Sequence, residues 1–309
     1  QAGAFNKEEA LIRQASHFFI ARNYHETISY SFVDPELQTV LYPEAADLTL
    51  LNPISPELSR MRAGLWSGLI AAMMHNFHRQ QTVIKLFENG VAFDHKDGKI
   101  IETACLGGLL SGEHGSLNWS EEARKFDFFD LKGDLQAFFA SLSLHNVVFE
   151  QAAHPALHPG KSAQIHINNH FAGWCGVLHP RIAAALDVTN EVLLFEVAVA
   201  PLLSAENPRY QKISKFPQIR RDLSFLVDDT ITVAEIHEVV AKTVPQALLK
   251  SFDVFDVYTG KSIPERKKSL GIAVTLQEEK RTLVDQEINQ IINAIIKQLG
   301  DNFAITLRD

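Results

Sequence analysis

Cysteine is nearly absent from this chain. Its 309 residues hold two, Cys105 and Cys175, too few for a disulfide framework or a four-cysteine zinc site. Reduced thiols in a cytoplasmic protein are the expectation. No apolar run approaches the roughly 20 residues that a transmembrane helix needs, and no basic-then-apolar leader opens the chain, so neither membrane insertion nor export is expected. A starting methionine is also missing. The chain opens in mid-stride with Gln1-Ala2-Gly3, which reads as a piece of something longer. Positive charge is short as well: 29 Lys+Arg stand against 37 Asp+Glu, a net charge of −8, which excludes an indiscriminate coat for nucleic acid. Gly107-Gly108 and Gly112 lack the strand–GxGxxG–helix setting of a nucleotide site, and no Ser-His-Asp triad can be nominated.

What is present describes an ordinary globular chain, 46% apolar and 21% charged. Its length predicts two domains. Charge is divided between them: residues 209–309 carry 15 Lys+Arg against 14 Asp+Glu, residues 1–208 carry 14 against 23. Only the C-terminal third is electrostatically tolerable to a polyanion. The polar, proline-bearing segment Ser204–Arg209 marks the boundary, giving domains at 1–205 and 209–309.

In the first domain, Glu8–Arg22 reads as an amphipathic helix with Leu11, Ala15, Phe18 and Phe19 on one face. Strands are predicted at Thr27–Val33 and Leu48–Leu51, then a long apolar helix over Leu65–Phe77. Val83–Phe87 and Ala104–Leu110 are strand candidates around the charged turn His95–Lys99. Phe128–Leu142 has helical spacing, and Ala163–Ile167, Gly173–Leu178 and Leu193–Val197 look like buried strands. Strands dispersed among helices without strict βα alternation predict an α+β fold on a mainly antiparallel sheet.

The second domain is more legible. Arg221–Val227 alternates, and Thr232-Val-Ala-Glu235 is a capping box opening a helix through Lys242. Strands follow at Ser251–Tyr258 and Lys268–Leu276. A helix carries Ile288, Ile291, Ile292, Ile295 and Leu299, with Gly300 expected as its C-cap, and Phe303–Arg308 supplies the last strand. The order βαββαβ is that of a ferredoxin-like sandwich, which leaves one sheet face free of helices. Period-two alternation puts Leu223, Phe225, Leu270, Ile272, Val274, Leu276, Phe303, Ile305 and Leu307 under the helices. Arg220, Asp222, Ser224, Ser269, Gly271, Ala273, Thr275, Thr306 and Arg308 fall on the other face, which is small and polar.

That face is either simply solvated or a surface for RNA. Lys212, Lys215, Arg220 and Arg221 cluster before and in the first strand, and Arg266, Lys267 and Lys268 lead into the third. Phe216, Phe255 and Tyr258 sit near strand ends, where rings stack on unpaired bases. Cations for phosphate and aromatics for splayed bases are the chemistry of single-stranded RNA recognition. A standard RRM is disfavoured because the third strand, KSLGIAVTL, carries no aromatic residue.

Six phrases in order resemble the β subunit of bacterial phenylalanyl-tRNA synthetases. LLNPISPELSRMRAGLWSGLIAAMMHNFHRQ (Leu50–Gln80) is similar to that family's degenerate class II motif 1, and VIKLFENGVAF (Val83–Phe93) to its motif-2-like hairpin. HPGKSAQI, GVLHP and LLFEV resemble later landmarks of a class II synthetase-like, catalytic-like domain. FPQIRRDLSFLV, with the ending ITLRD, resembles a ferredoxin-fold anticodon-binding domain. The resemblance implies an α2β2 heterotetramer that joins phenylalanine to tRNA-Phe using ATP and magnesium, with the chemistry in the α subunit. For this chain it implies an interface with α and binding of the anticodon region of tRNA-Phe by Lys215, Phe216, Arg220, Arg221, Phe255, Tyr258, Arg266, Lys267, Lys268 and Arg308. No catalytic residue and no cofactor is expected here. A working class II site needs an arginine two residues before the motif-2 glutamate, where this chain has Leu86, and an arginine after the motif-3 glutamate, where Glu196 is followed by Val197. Without those cations the charge developing on an adenylate goes unmatched.

His154, His158 and His179, with Cys175 nearby, have the composition of a zinc site, but Pro155 and Pro159 interrupt the helix that would align them. Histidines capped by backbone groups or solvent in a turn are the expectation, and no metal. His75 and His78 are expected in core or interface packing. Two other functions stay open: an RNA-binding module or paralogue outside aminoacylation, and a free-standing metal-dependent enzyme.

Overall fold

A computed structural model describes residues 6–114, 119–120, 122–205, 210 and 213–308. The chain divides into two compact units, Gln1–Pro208 and Arg209–Asp309. Of the expected boundary segment, residues 206–209 lie outside the described residues, as does Lys212.

The first unit begins with α1 (Lys7–Ala21), β1 (His25–Glu26), β2 (Phe32–Val33), α2 (Pro35–Leu41) and β3 (Arg60–Met61). Next come α3 (Trp66–Phe77), the hairpin β4 (Ile84–Lys96) and β5 (Lys99–Ser111), and the short pair β6 (Glu113–His114) and β7 (Arg124–Lys125). α4 (Phe128–Ser141), β8 (Val147–Gln151), β9 (Leu157–Ile167), β10 (His170–Leu178), α5 (Pro180–Ala185), β11 (Val192–Ala198) and α6 (Val199–Leu202) complete it. A seven-stranded sheet runs in the order β1-β4-β5-β11-β10-β9-β8. Only the β1–β4 pairing within it is parallel.

Both faces of this sheet are covered, which is why its strands read as continuous apolar runs rather than alternating ones. Phe87 and Phe195 face α1 and α4, packing with Phe19, Leu135 and Phe138. Their neighbours Leu86 and Leu194 point the other way, to Leu69, Ile70 and Met73 of α3 and to Leu41 and Ile182 of α2 and α5. The apolar helix at 65–77 is therefore a core helix, while His75 and His78 in its last turn are exposed and lie outside the core.

Two expected strands are corrected. The run 27–33 keeps only Phe32–Val33 as a strand, because Ser29 leaves the sheet to bond the Glu88 carboxylate through its backbone N–H and hydroxyl. Residues 48–51 contribute one isolated bridge, Thr49 to Arg60.

The second unit runs β12 (Ile219–Asp228), α7 (Val233–Thr243), β13 (Leu249–Tyr258), β14 (Lys267–Leu276), α8 (Asp285–Phe303) and β15 (Thr306–Leu307). This is the βαββαβ order, on an antiparallel sheet ordered β13-β14-β12-β15. The capping box is present: Glu235 N–H donates to Thr232 Oγ1, and Thr232 N–H donates to Glu235 Oε2. Phe225, Leu270, Ile272 and Val274 meet Ile236, Val240, Ile288 and Ile295 in one core. Gly300 is not the C-cap. α8 continues for one more turn, bringing Phe303 against that core, and ends at Ala304, whose φ is +48°. The last strand shrinks to Thr306–Leu307, and Leu307, expected beneath the helices, is half exposed because it lies on a two-residue edge strand.

Candidate functional site

The helix-free face of the second unit is assembled by register. On β12, Arg220, Asp222, Ser224 and Leu226 stand opposite Thr275, Ala273, Gly271 and Ser269 of β14. On the other side of β14, Ser251, Asp253, Asp256 and Tyr258 of β13 face the same four residues. The register slips between Val254 and Asp256, which makes Phe255 the extra residue of a bulge. A bulge re-aims a side chain, and here it turns Phe255 across the sheet. A Cβ added at Gly271 would come within 2.7 Å of the ring, so the ring's position requires glycine beneath it. The Arg220 guanidinium lies 5.6 Å from the centre of the same ring, within cation–π range.

The face is therefore less open than alternation suggested. Ser269 and Ala273 are buried although no helix covers them. Side chains of neighbouring strands fold over the small residues, and Arg308 donates from Nη1 to Ser269 Oγ at 3.2 Å. Phe255 as a residue remains 53% exposed. Tyr258 extends the aromatic surface toward Gly260 in the following loop.

Of the ten candidate residues, the structure brings Arg220, Phe255, Tyr258, Lys267 and Arg308 to this face. Two others point away. Arg221 is paired with Val274 on the helix side and lies 3.7 Å from Asp285 at the start of α8. Lys268 ties down the β12–α7 turn, donating from Nζ to the carbonyls of Asp229 and Ile231. Arg266 sits in the loop before β14 with φ +62°, its carbonyl accepting from Asp229 N–H. Lys215 is exposed, and half-buried Phe216 is fixed beside the end of β14, where its carbonyl accepts from Gln277 Nε2. Acidic residues are interleaved with the cations: Asp222, placed on this face by alternation, holds Arg220 at 2.7 Å, and Asp253 and Asp256 of β13, which sequence reasoning missed, line the far side of β14. Alternation alone would send Asp253 and Asp256, three residues apart, to opposite faces; the bulge at Phe255, which the sequence does not announce, brings both to this one.

In the first unit, the two positions where a class II site requires arginine are core positions: Leu86 and Val197 are buried in apolar clusters on opposite faces of the sheet. Glu88 is committed to structure. Its Oε1 accepts from Arg62 Nη1 at 2.7 Å and from Ser29 N–H, its Oε2 from Ser29 Oγ, and Arg62 Nε also donates to the Val91 carbonyl. Beside this pair lies a cleft of about 460 Å³ whose lining includes Tyr42, Trp174 and Glu196, with no lysine or arginine. Burial raises the Glu196 carboxyl to about 7, opposed by its bond from Leu65 N–H.

The histidines are turn caps. Each precedes a proline, and in each the Nδ1 lone pair accepts a backbone N–H two residues on: Ala156 to His154, Gly160 to His158, Arg181 to His179. That lone pair is unavailable to a metal. Among the described residues no group of three or more His, Cys, Asp or Glu is placed to hold one. Cys175 is buried and its thiol pushed up to about 12, and burial likewise raises Cys105, so both are inert. Among the described residues, no helix is long and apolar enough to cross a membrane.

Comparison with known proteins places both units. Residues 1–199 match the family described as phenylalanyl tRNA synthetase beta chain CLM domain, and residues 214–308 match the ferredoxin-fold anticodon binding domain. A phenylalanine–tRNA ligase β subunit from Legionella pneumophila (strain Paris) is 58% identical over all 309 residues of this chain, which cover 39% of that protein. The Coxiella burnetii β subunit is 40% identical over 93% of this chain and 36% of its own length. That of Nitrosococcus oceani is 39% identical over 100% of this chain and 38% of its own. The chain thus spans about two fifths of the length of the curated relatives it matches.

Proposed function

We propose that this chain, which belongs to the phenylalanyl-tRNA synthetase β-chain family, binds the anticodon region of tRNA-Phe through the helix-free face of its second unit and joins an α subunit through its first. The observation that carries the tRNA reading is the exposed Phe255 ring, bulged across Gly271 and flanked by Arg220. An aromatic platform with a cation at its side suits one unpaired base and its phosphate. The interleaved aspartates oppose loose polyanion binding and favour a ligand whose bases, as well as its phosphates, fit. An Arg220→Ala, Arg308→Ala double variant is expected to bind tRNA-Phe more weakly and to lower the salt slope by about 1–2 units. Arg221→Ala with Lys268→Ala, on the other side of the sheet, is expected to change the slope little. Equal slopes for wild type and the first variant would remove this face from the interface.

The first unit is proposed as a scaffold in a cytoplasmic α2β2 enzyme that consumes ATP with magnesium. Its cleft does not fit ATP: three carboxylates and no cation line it, so phosphates would meet charge of their own sign. Adenylate chemistry is accordingly assigned to the α subunit, and pyrophosphate exchange by this chain alone is expected at background. The α-facing surface is assigned to the exposed apolar side chains Ile28, Tyr30, Leu51 and Ile54. The pairings of β2 with β3 and of Thr49 with Arg60 gather their segments around one small sheet, and such apolar exposure marks interaction sites. Tyr30→Asp with Leu51→Asp is expected to abolish copurification with α; undiminished copurification would place the interface elsewhere.

A further inference from the structure

The cleft of the first unit has a composition that scaffolding does not explain. Its floor is kept low by Ala92, Cys105, Ala172, Gly173 and Ala198, its walls are aromatic, and its charged residues are Glu44, Asp94 and Glu196. At about 460 Å³ it falls within the range of small-molecule pockets. Glu196 stands at its inner end, in register with Trp174 on one side and Gly107 on the other. Both hydrogen bonds recorded for the Glu196 carboxyl, from Leu65 N–H and Tyr42 OH, fall on Oε2. Oε1 is left to the cleft that the residue lines. His154, also in the lining, is packed between Trp66 and Trp174 and held neutral by burial, with its pKa pulled down to about 4. It adds no positive charge.

We propose that this cleft binds a small organic ammonium ion with an aromatic or aliphatic body. The ammonium would pair with Glu196 Oε1 while the body lies against Trp174 and Tyr42, whose ring faces favour a nearby cation. Anionic ligands are excluded by the same three carboxylates, and an amino acid zwitterion is disfavoured because nothing in the lining answers its carboxylate. The site does not depend on the tRNA reading.

The test is calorimetric titration of the whole chain at pH 8 with phenethylamine, phenylalanine and phenylacetate. Phenethylamine is expected to bind one to one with a Kd near or below ~1 mM, and the two carboxylates at least tenfold more weakly. Glu196→Gln is expected to weaken phenethylamine at least tenfold. Thr103→Trp, at an exposed position on the cleft wall, is expected to block it without touching the core. If Glu196→Gln fails to fold, Thr103→Trp alone decides. Absence of saturable phenethylamine binding would overturn the proposal, as would equal binding of phenylacetate. Binding unaffected by Thr103→Trp would put the amine elsewhere and overturn it too.

Discussion

Arg62→Ala is expected to destabilise the first unit by about 3–5 kcal/mol. Arg62 and Glu88 are 4% and 2% exposed and lie 2.7 Å apart. Removing the guanidinium strands a carboxylate that has no access to water. It also removes the donor to the Val91 carbonyl and leaves only Ser29 to hold the Glu88 oxygens. Gly90 is fitted to the arginine, since a Cβ there would collide with the guanidinium. The pair therefore joins the chain before α3 to the middle of the β4–β5 hairpin, and its loss should disorder the approach to α3 before it melts the sheet. Urea denaturation followed by tryptophan fluorescence checks this, because Trp66 opens α3. A loss under about 1 kcal/mol would mean that the pair is solvated and weak. Arg62→Ala combined with Glu88→Gln should recover part of the loss, since the stranded charge is then gone.

The second large effect belongs to Glu196. Its folded-state carboxyl, at about 7, stands above the ordinary value of 4.5, chiefly because it is buried. The folded state thus holds a proton that the unfolded state releases. Stability associated with this group is greatest below about pH 4.5 and falls as pH rises through 7, by about 3 kcal/mol in all. Glu196→Gln keeps an acceptor for Leu65 N–H and has nothing to ionise. The variant should gain on the wild type progressively from pH 5 to pH 8, and the gain should level off above pH 8. Denaturation curves at four pH values test this; parallel stability profiles would show that the carboxylate is well solvated through the cleft. A bound amine would narrow the gap at pH 8 by stabilising the ionised form, which links this measurement to the ammonium site.

How much of this was legible depended on the period of each element. The second unit showed its order because β12 and β14 alternate against two helices whose branched apolar residues recur every third or fourth position, and because Thr232 and Glu235 cap α7 by local chemistry alone. In the first unit, β11 and the centre of β4 are buried on both faces, so LLFEV and VIKLF announced strands but not their faces. The segment 27–33 was misread because Ser29, set among its β-branched and aromatic residues, bonds a distant carboxylate, Glu88, rather than a neighbouring strand. Gly300 was misread because glycine usually ends a helix, whereas here packing of Phe303 rewards another turn. At the candidate interface, Arg220, Phe255 and Arg308 were identifiable by type and position. Their convergence depends on one bulged residue, and a bulge leaves no periodic signal. Arg221 and Lys268 were grouped with them by proximity in sequence, although one step along a strand sends a side chain to the opposite face.

Whether the second unit reads the anticodon region of tRNA-Phe is decided by binding of the whole chain to transcribed tRNA-Phe. A transcript differing only in its anticodon serves as the control, and both are titrated at two salt concentrations. Binding should be tighter to the native anticodon, with a preference that survives the higher salt because hydrogen bonds to base edges, unlike phosphate contacts, release no counterions. Equal affinity for both transcripts, vanishing together as salt rises, would contradict it and reduce this face to a weak electrostatic surface.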